Sequence, residues 1–80
     1  MARKYHTVCE YDEADGCWYD CCGFYSKADA QEELEALKAD GVHHCIITHD
    51  DNADAMMAAR DALPMPKAVA KRLAREAGKL

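Results

Sequence analysis

Five cysteines and four histidines are the residues of this 80-residue chain with the most chemistry in them. Cys17-x-x-x-Cys21-Cys22, with Cys9, Cys45, His43 and His49, offers the thiolate and imidazole ligands that zinc takes. Three adjacent strands could bring Cys9, Cys21 and Cys45 together. Structural zinc, however, uses Cys-x-x-Cys knuckles, in which two thiolates converge from one tight turn. No such spacing occurs. Cys21 and Cys22 are neighbours, so on a strand they point to opposite faces. The reading that follows is cysteine as a small buried hydrophobe, with no metal and no cofactor. An odd cysteine count with no apolar signal-peptide core after Met1 predicts reduced thiols rather than a disulfide framework.

Two further patterns can be weighed the same way. Asp50-x-Asn52-x-Asp54, with Asp61 at the twelfth place, imitates the spacing of a calcium loop. The sharp turn of such a loop needs glycine at its sixth place, and Ala55 stands there. Cys45 with His43 could form a nucleophile and base, but no nucleophile elbow, phosphate loop or nucleotide fingerprint accompanies them. An enzyme is not expected.

The carboxylates are more informative than any of these. Residues 1–63 carry 14 acids against five Lys and Arg, whereas residues 64–80 carry five Lys and Arg against Glu76 alone. The chain therefore divides into an acidic body, 1–63, and a basic C-terminal segment, 64–80, bearing Lys67, Lys71, Arg72, Arg75 and Lys79. Asp12, Glu13, Asp15 and Asp20 cluster around a hairpin, Glu32 and Glu35 sit on a helix, and Asp50, Asp51 and Asp54 crowd a loop. A solvated surface that keeps a small protein soluble needs no such concentration. Dense carboxylates can imitate a phosphate backbone, which carries one charge per about 1.7 Å of duplex axis. These nine residues are the candidate contacts for a basic partner. The acidic body also opposes approach of the basic segment to phosphate, so direct nucleic-acid binding is not expected.

The elements that must position these residues can be read in order. Tyr5–Tyr11 is β-rich, Asp12–Gly16 is a turn ending in Asp-Gly, and Cys17–Tyr25 returns as a second strand. Trp18, Cys22 and Phe24 alternate on one side of that strand with Asp20 as their only polar companion, which predicts that this side turns inward. Ser26 with Asp29 forms a capping box, Ala30, Leu34 and Leu37 mark the buried stripe of a helix, and Gly41 is its stop. Val42–Thr48 is a third strand. Asp51 or Asn52 caps a short helix with Met56, Ala59 and Leu63 along one stripe, and Pro66 opens a last helix whose Val69 and Leu73 face one way. The expected fold is α+β: a ββαβ core with a three-stranded, mainly antiparallel sheet and one packed helix, followed by two short C-terminal helices. No run of 18 apolar residues exists, so no membrane span is expected.

With its Lys4–Tyr11 and Cys17–Tyr25 hairpin, Ser26–Gly41 helix, Val42–Thr48 strand and dense acidic surface, the chain resembles small phage-encoded anti-CRISPR proteins that act on type I systems, the type I-C inhibitors among them. The alanine-rich Asp51–Arg60 segment (Asp-Asn-Ala-Asp-Ala-Met-Met-Ala-Ala-Arg) suits a high-GC phage or prophage origin. The resemblance implies a non-enzymatic inhibitor in the cytoplasm of a bacterial host. It would act as a DNA mimic, a monomer or weak homodimer that binds a Cas protein subunit of the surveillance complex (Cascade) and blocks target DNA. The core is also similar to peptidoglycan-binding cell-division repeats through Phe24-Tyr25-Ser26, Ala30, Leu34, Leu37 and Gly41, but those repeats follow a membrane anchor and linker that this sequence does not contain. The alternative expectation is a small zinc- or nucleic-acid-binding regulatory protein that uses the Cys and His residues or the basic helix.

Overall fold

The computed structural model describes residues 3–38 and 42–78. Gly41 and Lys79, named above as a helix stop and a tail charge, lie outside the described residues. The order is β1 (Lys4–Asp12), β2 (Cys17–Phe24), α1 (Lys27–Leu37), β3 (His44–Asp50), α2 (Ala53–Asp61) and α3 (Lys67–Gly78). The strands form an antiparallel sheet in the order β2-β1-β3, so the α+β class and the ββαβ core are as the sequence predicts.

Each boundary has a local cause. The β1–β2 turn is built by Asp12, whose Oδ1 accepts the backbone N–H of Ala14 at 2.9 Å and of Asp15 at 3.1 Å. Gly16 then takes φ 68°, a left-handed value that glycine adopts without a Cβ penalty. Ser26 caps α1 by accepting the N–H of Asp29, and Asn52 rather than Asp51 caps α2 by accepting that of Ala55 at 2.8 Å. Pro66 precedes α3 and its carbonyl accepts the N–H of Ala70 at 3.0 Å.

The sheet is covered on both faces, and one irregularity decides which residue goes where. Val8 pairs with Cys22 while Cys9 pairs with Asp20, so Cys21 is an extra residue in β2. The bulge breaks the alternation assumed from the sequence. Trp18 and Asp20 share a face with Cys9 and Tyr11, whereas Cys22 and Phe24 share the opposite face with Val8. The expectation that Trp18, Cys22 and Phe24 form one inward side is thus corrected: the bulge leaves Trp18 on one face of this edge strand and Cys22 and Phe24 on the other. Helix α1, with Ala30 fully buried, covers the Val8 face, where Glu33 acts electrostatically on Cys22. Helix α2 covers the Cys9 face, where Arg60 reaches Asp20 at 2.8 Å. Among the described residues, the fully or nearly buried apolar ones are Val8, Cys9, Tyr11, Ala30, Ile47 and Val69. That is the small core expected of a chain this short.

Helix α3 is different in kind. Val69 is buried, Trp18 Nε1 donates to the Pro64 carbonyl at 3.0 Å, and Arg72 pairs with Glu13 at 2.8 Å. Beyond these ties the helix is exposed along its length, Leu73 included, so of Val69 and Leu73, expected to face one way, only Val69 is buried. The molecule measures 52 × 27 × 16 Å with a radius of gyration of 14.3 Å. A compact chain of this length would have about 12 Å. The C-terminal helix is an arm.

Candidate functional site

The nine acids singled out from the sequence do not form one surface. Lys4 at the start of β1 pairs with Asp50, whereas Asp12 at its end pairs with Cys17. At about 3.3 Å per residue, Asp12 at the hairpin and Asp50 at the loop stand at opposite ends of the sheet, roughly 26 Å apart, whereas Asp20 pairs with Cys9 in mid-strand and lines a cavity with Asp51.

Most of these acids also have internal duties. Asp12 holds the turn. Glu13 accepts from Arg72, whose guanidinium holds the carboxyl below its usual range, with His43 contributing. Asp15 accepts the Tyr19 hydroxyl at 2.6 Å, which pushes that phenol's ionisation up. Asp20 takes Arg60, and Glu35 takes Lys38 at 2.9 Å. Asp50 takes Lys4 at 2.8 Å, and the ammonium lowers its carboxyl's pKa. Asp51 accepts the Tyr25 hydroxyl at 2.6 Å and raises that phenol's ionisation. Asp54 is exposed in the first turn of α2, where its charge suits the helix N-terminus.

Among the described residues, the carboxylates left without a counter-ion or hydrogen-bond donor are Asp54 on α2 and a group on α1. Glu32 is one of the nine; Asp29 and Glu33 are added by the structure. Asp29 with Glu32 and Asp29 with Glu33 stand at helical neighbour spacings, about 5–6 Å between Cβ atoms. Like charges at these spacings each cost a helix about 0.2–0.5 kcal/mol. Only the Glu35–Lys38 pair offsets them. The signal was available in the sequence as acids along one flank of the helix, with Asp29 and Glu32 exposed and Glu33 half-buried one turn from Ala30.

The chemistry-bearing residues are placed just as definitely. All five cysteines are free. Cys9 and Cys45 stand opposite each other on β1 and β3, and burial, with Cys45 adding to it, pushes the Cys9 thiol up to about 12. Burial raises the thiols of Cys21, Cys22 and Cys45 as well. Such thiols are poor nucleophiles, because the thiolate is the reactive form. Among the described residues, no three His, Cys, Asp or Glu side chains converge to hold a metal ion. The loop with calcium-like spacing is divided between a Lys4 pair, a tyrosine hydroxyl and a helix cap, so its oxygens point to different tasks.

One polar pair was not foreseen. His49 is buried on β3 and its Nδ1 lies 2.8 Å from the Asp50 carbonyl, which can only accept. Nδ1 therefore carries the proton, and Nε2 accepts from the Thr7 hydroxyl at 2.7 Å. A cavity of about 300 Å³ next to this pair is lined by Tyr5, Asp20, Asp51 and Met56 among others. With donor and acceptor both satisfied and both residues buried, the pair fastens β1 to β3. The sequence clue was the alternation of His49 with Ile47 on the inward side of β3.

Among the described residues, no helix is long and apolar enough to cross a membrane. No family model, no curated protein and no solved structure matches this chain.

Proposed function

We propose that the protein works without catalysis, by docking the acidic flank of α1 onto a Lys- and Arg-rich surface that otherwise takes nucleic acid. The observation that carries this is the set of carboxylates on α1 (Asp29, Glu32 and Glu33) left without an internal partner while most of the other candidate acids are used within the fold. Like charges held together at a cost to their own helix are what a surface complementary to a cationic partner requires. The reading extends the anti-CRISPR resemblance to a specific partner, a Cas subunit in the DNA-binding channel of a type I surveillance complex, where cationic residues line the path of the nucleic acid.

The test is binding of the protein to an isolated type I surveillance complex, with target DNA as competitor. A variant with Asp29→Asn, Glu32→Lys and Glu33→Lys is expected to lose at least about tenfold in affinity, since each charge opposed across an interface contributes on the order of 1 kcal/mol or more. Wild-type affinity is expected to fall as salt rises. Equal binding by variant and wild type, at any salt, removes α1 as the docking face. Absence of any binding to the complex removes the partner.

A further inference from the structure

The arm formed by α3 has two unequal sides. Val69 and Arg72, which tie it to its own body, lie on one arc of the helix. The remaining arc presents Ala70, Leu73 and Ala74 beside Lys67, Lys71 and Arg75, all exposed, with Leu73 43 % accessible. Among the described residues, Lys67, Lys71 and Arg75 make no ion pair; the helix's ion pairs are those of Arg72. This is an amphipathic helix with its apolar seam unpaired and one margin cationic.

The outer face of α2 is its complement. Met56, Ala59 and Arg60 turn toward the sheet, and the outward side carries Met57, 40 % accessible, with Ala58 and Ala62 between Asp54 and Asp61. Asp54 and Asp61 are seven residues apart, about 10.5 Å along the axis, and Lys67 and Arg75 are eight apart, about 12 Å. Among the described residues, Asp54 has no ion pair and Asp61 has only a 3.4 Å contact with Arg60 Nε, so the charges match in sign and span, and the small alanines allow close approach of the two backbones. Within one chain the match cannot be made. The Ala62–Pro66 connection is held to Trp18, and α3 is held to Glu13 at the hairpin, so the arm leads away from its own α2.

We propose that α3 docks on the outer face of α2 of a second copy of this chain, and that the second copy returns the same contact, giving a closed two-fold dimer. Lys67, Lys71 and Arg75 meet Asp54 and Asp61 of the other molecule around a seam of Leu73 and Ala74 against Met57. Closure repeats the contact, which brings two helix-length contacts toward the roughly 1,200 Å² of buried surface that specific interfaces need. Pairing α3 with α3 would set two cationic margins against each other and is disfavoured. Leu73 stands one turn from Val69 at the edge of the tied arc, whereas Lys67, Lys71 and Ala74 lie on the far side, so neither copy has to release Val69 or Arg72. The interface uses α2 and α3 and leaves α1 free, so it stands or falls independently of the function proposed above.

Sedimentation of the full chain tests it. Wild type is expected to dimerise with an affinity that falls about tenfold or more between low and high salt. Reversal of the arm (Lys67→Glu, Lys71→Glu, Arg75→Glu) and reversal of the α2 face (Asp54→Lys, Asp61→Lys) are each expected to give monomers. The decisive sample is their equimolar mixture. Both contacts in the mixed dimer regain opposite charges, so the mixture is expected to dimerise when neither variant does alone. Circular dichroism melts confirm that each variant folds; if a reversal unfolds the chain, the neutral forms Lys71→Gln and Asp54→Asn replace it and are expected to weaken the dimer. A wild type that stays monomeric, a dimer that survives both reversals, or a mixture that stays monomeric overturns the proposal. So does a monomeric wild type whose arm binds duplex DNA.

Discussion

Replacing Thr7 by Val keeps the shape of the side chain and removes only the hydroxyl that His49 Nε2 accepts. The imidazole cannot turn to a new donor, because its Nδ1–H is held by the Asp50 carbonyl and both residues are buried. A buried acceptor left without a partner costs about 1–3 kcal/mol. A domain of this size has a total stability of roughly 4–12 kcal/mol, so the loss is a large fraction of the whole. Thermal unfolding moves by about 4–8 °C per kcal/mol in domains of this length, and the variant is expected to melt about 4–24 °C lower. Urea unfolding followed by circular dichroism gives the free energy directly. The double variant with His49→Phe removes both partners, so the pair is expected to show a coupling energy of about 0.5–3 kcal/mol in a double-mutant cycle. A Thr7→Val protein within about 0.5 kcal/mol of wild type, with no coupling to His49→Phe, refutes the claim that this hydrogen bond fastens β1 to β3.

Thiol labelling of the native protein should follow exposure and proton affinity: Cys17 is exposed and is expected to react with maleimide first, while Cys9, fully buried and with its thiol pushed up to about 12, is expected to react only on unfolding. Mass spectrometry of timed digests reads the order, and early labelling of Cys9 contradicts it. The same thiol predicts alkaline behaviour. The folded state holds the Cys9 proton more tightly than the unfolded chain, whose value is 9.0, so its contribution is complete below pH 9 and is lost as pH rises toward 12. Denaturant midpoints measured from pH 8 to 11 are expected to fall more for wild type than for Cys9→Ala once each is referred to its own value at pH 8. At the acid end, the Arg72 guanidinium lowers the Glu13 carboxyl from 4.5, so the arm's tie is complete above that value and fails as pH falls through the lower folded one. Hydrogen exchange in α3 is expected to quicken there ahead of exchange in β1, and simultaneous loss of protection speaks against a separately tethered arm.

The order of elements, both helix caps and the turn were legible because each rests on residues close together in the chain. Ser26 reaches Asp29, Asn52 reaches Ala55, and Asp12 reaches Ala14 and Asp15. The faces of β2 were not legible, because a bulge depends on register against β1 and period-two counting assumes that none exists. The fate of Leu73 was not legible either. Helical spacing says which residues share a side, and it says nothing about whether a partner element is present to cover them.

The same limit governs the candidate site. A count of carboxylates records the total charge, whereas binding responds to the charge that remains after the fold has used its share. Arg60 and Arg72 lie 40 and 59 residues from the acids they neutralise, and Lys4 lies 46 from Asp50, so no local window joins them. These long-range pairs neutralise Asp20, Glu13 and Asp50 and make them supports for α2, α3 and the start of β1, while Asp12, Asp15 and Asp51 keep their charge but are held by backbone N–H groups and tyrosine hydroxyls. What is left on α1 is smaller than the sequence suggested, yet it is better placed for recognition. Its carboxylates share one rigid helix, so their spacing is set before a partner arrives, and preorganised charge loses less on binding than charge carried by a loop.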